Sequence, residues 1–167
     1  MKKLITLLSL LVVVNAWGLE INDNLISAII EVESGGNSKA VSPKLCIGLM
    51  QLNLLGSVAE WNTFWETQDN DFTIRYHNGF GYTSEEWGEF SRYQRLKGDN
   101  VLRPENNIEI GRWYLYRLRD HYGCETLEQL LSAWNGGITR LRKYNMDCSR
   151  MPKETRRFVR KVKERMK

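Results

Sequence analysis

The chain has 167 residues, 42% of them apolar and 26% charged, enough for one globular domain that buries a core without relying on disulfides. Its net charge of +4 is too small for a dedicated nucleic-acid binder, which carries a much stronger basic excess. Three Pro and 13 Gly exclude a disordered or collagen-like chain, and 2 His and 3 Cys without C-x-x-C or H-E-x-x-H spacing predict no metal site.

The amino terminus opens with Met1-Lys2-Lys3, followed by an apolar run from Leu4 to Val14 broken only by Thr6 and Ser9. That run is shorter than the roughly 20 residues a membrane-spanning helix needs. Val14-Asn15-Ala16 and Ala16-Trp17-Gly18 offer two cleavage frames. The pattern predicts a cleaved signal peptide over 1–18 and a mature domain over 19–167, periplasmic or secreted. An uncleaved membrane anchor is the competing reading. Outside the cytoplasm disulfides are permitted. Of the three cysteines, Cys124 and Cys148 lie at either end of a helical stretch and its following loop, and this is the pair expected to bond. Cys46, within Leu45-Cys46-Ile47-Gly48, reads as a small buried residue.

Along the mature chain, residues 23–34 read as a helix that Asn22 or Asp23 can cap. Leu25, Ile26, Ile29, Ile30 and Glu33 follow one helical stripe, so Glu33 continues the apolar face while Glu31 points elsewhere. Gly35-Gly36 ends the helix. Ser42-Pro43 forces an extended turn, and Gly48-Leu49-Met50-Gln51-Leu52 begins another ordered segment.

Residues 56–103 differ in character. They hold ten aromatics, from Trp61 to Tyr93, without a long helical period. Two short helices are expected there, near 57–66 and 84–96, around an irregular loop. This aromatic-rich segment reads as a hydrophobic subdomain covering the core, with a glycan-stacking surface as the alternative. From Asn106 a helix resumes, with Ile108, Gly111, Leu115, Leu118 and Tyr122 on one face and Gly123 as its stop. Thr126-Leu127-Glu128-Gln129 is a capping box opening a helix with Leu127, Leu130, Leu131 and Trp134 apolar, closed by Gly136-Gly137. A last helix from about Lys153 buries Phe158, Val159, Val162 and Met166. It is strongly basic, with eight Lys/Arg against two Glu between Lys153 and Lys167. That face reads as solvated, with attraction to an anionic envelope as the alternative. The sum is an all-α domain.

Glu33 is the residue with chemical meaning. A carboxylate on a buried stripe is costly to charge, and its cheaper state is protonated. A carboxylic acid kept neutral near pH 7 can give its proton to the leaving oxygen of a glycosidic bond. A Glu at a helix end that simply reaches water is the plainer reading of its position alone.

The surrounding residues bear on that choice. Glu33-Ser34-Gly35-Gly36-Asn37, then Ala40-Val41-Ser42-Pro43, then Gly48-Leu49-Met50-Gln51 resemble the soluble lytic transglycosylase family, whose domain has a goose-type lysozyme fold. Asn106-Asn107-Ile108 with Gly111 and Tyr114-Leu115, then Ala133-Trp134-Asn135-Gly136-Gly137, then Glu154-Thr155 with Phe158-Val159 and Val162 follow in the family's order. The resemblance covers about 21–55 and 104–163, leaving 56–103 as an insertion.

The resemblance implies a lysozyme-like all-α fold and cleavage of peptidoglycan glycan strands between N-acetylmuramic acid and N-acetylglucosamine, without cofactor or metal. It assigns Glu33 as the single acid and base. It places Ser42, Met50, Gln51 and Asn135 at the catalytic subsite. Trp134 stands where the family has a Tyr, and Phe158 where it usually has another, so two hydroxyls are missing. No Asp or Glu lies between Glu33 and Glu60. A lone acid suits attack by the sugar's own 6-hydroxyl, giving a 1,6-anhydro product. A muramidase drawing a base from Glu60, Glu66, Asp69 or Asp71 is the second reading. A weakly active peptidoglycan-binding factor of a secretion or envelope machine is the third. A monomer that binds no nucleic acid is expected.

Overall fold

The computed structural model describes residues 19–67 and 101–167. The expected signal peptide and the helix expected at 84–96 lie outside the described residues. In chain order the elements are α1 (Asp23–Ser34), a hairpin of β1 (Cys46–Ile47) and β2 (Leu52–Asn53), α2 (Ser57–Thr67), α3 (Pro104–Asp120), α4 (Leu127–Gly136), α5 (Ile138–Lys143), a 3₁₀ turn (Cys148–Arg150) and α6 (Lys153–Arg165).

Local sequence explains most boundaries. Asn22 caps α1, its Oδ1 accepting from Leu25 N at 3.1 Å. Gly35 ends it in the left-handed region at φ 60°, where a Cβ would be strained. Helix α3 starts two residues before the expected Asn106, because Pro104 occupies the first turn, where its missing N–H is no loss. The capping box of α4 is complete. Gln129 N donates to Thr126 Oγ1 at 3.2 Å, and Thr126 N donates to Gln129 Oε1 at 3.3 Å. Gly136-Gly137 ends α4 as expected and is also a corner. Gly137 takes φ 86° and α5 starts at the next residue, burying Leu141.

The helices pack around one core. Helix α1 lies on α6, while α4 touches α3, α5 and α6. Leu25 and Ile29 of α1, Ile110 and Leu118 of α3, and Leu130 of α4 are fully buried, each contributing about 1.5–3 kcal/mol by burial. Trp61 of α2 meets Trp113 of α3 edge to face at 5.2 Å, so the aromatic segment does cover the core at this point.

A buried asparagine joins the hairpin to α3. Asn107 Oδ1 accepts from Met50 N at 2.7 Å, and its Nδ2 donates to Ile47 O and Val101 O, both at 3.0 Å. Gly48, at φ 78°, lies so close that a Cβ would overlap the Asn107 amide. The cysteine pairing expected from the sequence is corrected here. Cys46, Cys124 and Cys148 are all free thiols. Cys124 is packed in the core as a small apolar residue, while Cys148 Sγ donates to Met146 O at 3.8 Å. Cys46 is only half-buried, not the buried residue its neighbours implied.

Candidate active site

Five parts of the chain build one cleft of about 610 Å³. Glu33 enters from the last turn of α1. Ser42 and Gln51 flank the hairpin. Tyr114 comes from α3, and Trp134 and Asn135 come from the end of α4. Glu154, in the first turn of α6, completes the lining. The cleft thus gathers Glu33, Ser42, Gln51, Trp134 and Asn135, as the sequence suggested. It does not contain Met50, whose side chain is fully buried. Gly111 makes the space for it, since a Cβ there would overlap Met50 Sδ and sit 3.4 Å from Trp134 Cη2. Met50 therefore lies beneath the site as a support, not in its wall. Phe158 likewise packs in the core and is no part of the lining.

Glu33 is half-buried. Its pKa is raised from 4.5 to about 7, first because burial disfavours the charged carboxylate. Trp134 Nε1 donates to Glu33 Oε1 at 3.1 Å, which pulls the value back down. The negative charge of Glu154 pushes it up again, as the smallest of the three effects. The indole N–H thus does one job of the missing hydroxyl, aiming the carboxyl group. The Trp134 ring rests on Tyr114 at 5.9 Å between centroids. Burial drives the Tyr114 phenol well above its usual range, so it is neutral at any working pH.

The hairpin wall is fixed by backbone bonds. Ser42 N donates to Cys46 O at 2.8 Å, and Cys46 N returns a bond to Ser42 Oγ at 3.1 Å. Gln51 sits at φ 49°, a left-handed conformation uncommon for a non-glycine residue. Its Nε2 donates to Ala40 O at 3.2 Å and Gly48 O at 3.0 Å, which holds it there. Both bonds use the amide nitrogen, so Oε1 is the end available to a ligand. Strain of this kind persists where the surroundings over-determine it, often at functional sites.

Two lining residues escaped the sequence reading in their roles. Tyr114 and Glu154 belong to motifs that were recognised, but nothing local marks them as facing Glu33. The proposed base Glu60 is absent from the cleft. It is held behind Tyr114 by an ion pair with Arg117 and by Tyr122 Oη at 2.6 Å. The side chain of Glu66, and Asp69 and Asp71, lie outside the described residues.

Comparison with known proteins places this geometry. The family model "Transglycosylase SLT domain" matches residues 11–60 and 83–156. The endo-type membrane-bound lytic murein transglycosylase A of Cronobacter sakazakii is 31% identical over 140 residues, covering 80% of this chain and 56% of the relative. The protein of the same name from Salmonella paratyphi B is 60% identical over 37 residues, 22% of this chain and 17% of its own. The chain therefore spans little more than half the length of the first of these. Among solved structures, the 70 kDa soluble lytic transglycosylase of Escherichia coli superposes with a TM-score of 0.61 at 25% identity, covering 88% of this chain and 21% of that one.

Proposed function

The chain belongs to the transglycosylase SLT domain family, and from that membership and the state of Glu33 we propose that it is a peptidoglycan lytic transglycosylase of the cell envelope. The carrying observation is a single carboxyl group, raised to about 7 by burial and aimed by Trp134 Nε1, on an open cleft wide enough for sugar rings. In this reading residues 19–167 are the catalytic domain, and 1–18 direct it out of the cytoplasm.

Protonated Glu33 donates to the oxygen bridging N-acetylmuramic acid and N-acetylglucosamine as the bond from the anomeric carbon breaks. The resulting Glu33 carboxylate then takes the proton of the muramyl 6-hydroxyl, whose oxygen closes on the anomeric carbon. The product carries a 1,6-anhydro bridge and no water is consumed. A pKa near the working pH suits a group that acts first as acid and then as base. Holding the 6-hydroxyl beside the anomeric carbon supplies a large effective concentration. Gln51 Oε1, Ser42 and the Asn135 amide are suited to orient N-acetyl and hydroxyl groups, and the Trp134 and Tyr114 rings give the apolar wall.

One observation favours a second reading. Glu154 shares the cleft with Glu33, so a carboxylate able to activate water is present after all, and hydrolysis of the same bond would follow. Mass analysis of the products released from intact sacculi decides between the two. Anhydro ends, lighter by one water than reducing ends, are expected. Dominant reducing ends would establish the hydrolase, and intact glycan would end both readings.

A further inference from the structure

Helices α4 and α6 wall a second concavity on the side away from Glu33, about 480 Å³ in volume. Arg156, Arg160, Lys163 and Lys167 of α6 line it at helical spacing. Two of these cations already hold carboxylates of the protein itself. Lys163 Nζ meets Glu128 Oε1 at 2.6 Å, and Arg160 Nε lies 3.8 Å from Glu164 Oε1. Arg156 and Lys167 have no such partner among the described residues. In the same lining stands Ser132 of α4, only 1% exposed. Among the described residues its Oγ has no hydrogen-bond partner, and a buried hydroxyl left so is costly.

We propose that this α4–α6 groove is a binding site for a peptide carboxylate, with Ser132 Oγ and Arg156 as its donors. The chemistry of the occupant follows from the groove's own contents. Its cations already pair with carboxylates, and two resident acids leave a net excess of two positive charges among the six charged lining residues. That balance suits one or two monoanionic groups. A planar carboxylate can take a guanidinium edge and a hydroxyl proton together. The acidic occupant we commit to is the peptide stem of peptidoglycan, a choice of source that rests on the function proposed above. The two concavities share α4 and α6 as walls, with Trp134, Asn135 and Glu154 on one side and Ser132 and Arg156 on the other. A glycan strand in the cleft could thus have a neighbouring strand's peptide held next door.

Titration of the full mature chain with N-acetyl-alanyl-glutamate, followed by amide chemical shifts, tests the site. Saturable shifts at Ser132, Ser149 and Arg156 are expected, with no response to the corresponding diamide. Loss of one charge-assisted bond in Arg156→Gln should weaken binding roughly tenfold. Ser132→Ala removes an unpaired buried hydroxyl, so it should fold at least as well while binding less. No saturable shift, or equal shifts with inorganic phosphate, overturns the proposal. Retention of Glu33→Gln protein on sacculi identifies the source. Adding Ser132→Ala should weaken retention on intact sacculi and leave retention on peptide-stripped glycan unchanged. Equal retention of both proteins on both materials defeats the stem-peptide assignment. Failure of either protein to bind stripped glycan instead defeats the glycan-cleaving reading, while the titration still judges the groove.

Discussion

The two concavities on either side of α4 and α6 treat carboxyl groups in opposite ways. In the cleft, Glu33 faces a half-buried indole and feels another acid, its burial outweighing the indole bond, and is driven toward its neutral form. In the groove, Glu128 and Glu164 stand beside Lys163 and Arg160 in largely exposed positions. The same pair of helices therefore helps to wall in an acid on one side and carries ion pairs on the other. What differs is burial and the sign of the nearest charge, not the residue type. Glutamate chemistry in this chain is set by what stands opposite each side chain.

The strongest way to break the comparison is Glu33→Gln. The amide is nearly isosteric, keeps an oxygen for the Trp134 N–H, and cannot donate an acid proton. Glycan cleavage should fall by about 10²–10⁴-fold, measured as product release from purified sacculi. Wild-type turnover would remove Glu33 from its role.

The same variant sharpens the contrast through stability. Glu33 titrates at about 7 in the fold against an ordinary value of 4.5, so the folded state holds its proton more tightly than the unfolded one. Stability is therefore lost as pH rises through that window. Gln carries no charge at any pH. Above pH 7, Glu33→Gln should be more stable than the parent by on the order of 3 kcal/mol, while near pH 4 the two should melt alike. Thermal denaturation at pH 4 and pH 8 reads this directly. A difference that does not change with pH would show that Glu33 is not held neutral by burial.

Legibility in the sequence divided along physical lines. Helices α1, α4 and α6 were readable because an apolar stripe and a capping residue are local signals, and Glu33 stood out as an acid on such a stripe. Thr126 and Gln129 announced α4 from two positions. Helix α5 was not readable, because six residues give too little period and Gly136-Gly137 looks like a stop. Glu154 was hidden for another reason. It sits on the polar side of a basic helix and reaches the cleft only because α6 packs on α1 and α4. Met50 was misplaced because an apolar residue beside Gln51 suits a pocket wall, and only the gap left by Gly111 sends it beneath. A glycine inside the otherwise bulky face of α3 was the available clue.

Two substitutions should shift the cleft in opposite directions by less than the loss of the acid itself. Trp134→Phe removes the donor that favours ionised Glu33, so the alkaline limb of the pH–rate profile should move up. Glu154→Gln removes the like charge, so that limb should move down. Shifts of the same sign would mean that one of the two acts through packing. If Glu154→Gln instead abolishes turnover and the wild-type products carry reducing ends, Glu154 is the water-activating base and the hydrolase reading holds.

The smallest effect belongs to the groove. Glu128→Gln removes the partner of Lys163 at an exposed site, where ion pairs contribute about 0–1 kcal/mol. Chemical denaturation should find a change within that range, smaller in high salt. A loss comparable with the Glu33 difference would erase the distinction between the two sides.

The bonds of Asn107 to Met50 N, Ile47 O and Val101 O have a consequence for how this domain tolerates variation in chain length. They tie the hairpin that shapes the cleft directly to the start of α3. In polymer terms the bond from Met50 N to Asn107 joins two points 57 residues apart in the chain, and doubling the length of a loop closed in this way costs only about 0.6 kcal/mol in entropy. The seat of the hairpin on α3 is therefore set by the bonds of one side chain rather than by the number of residues between them.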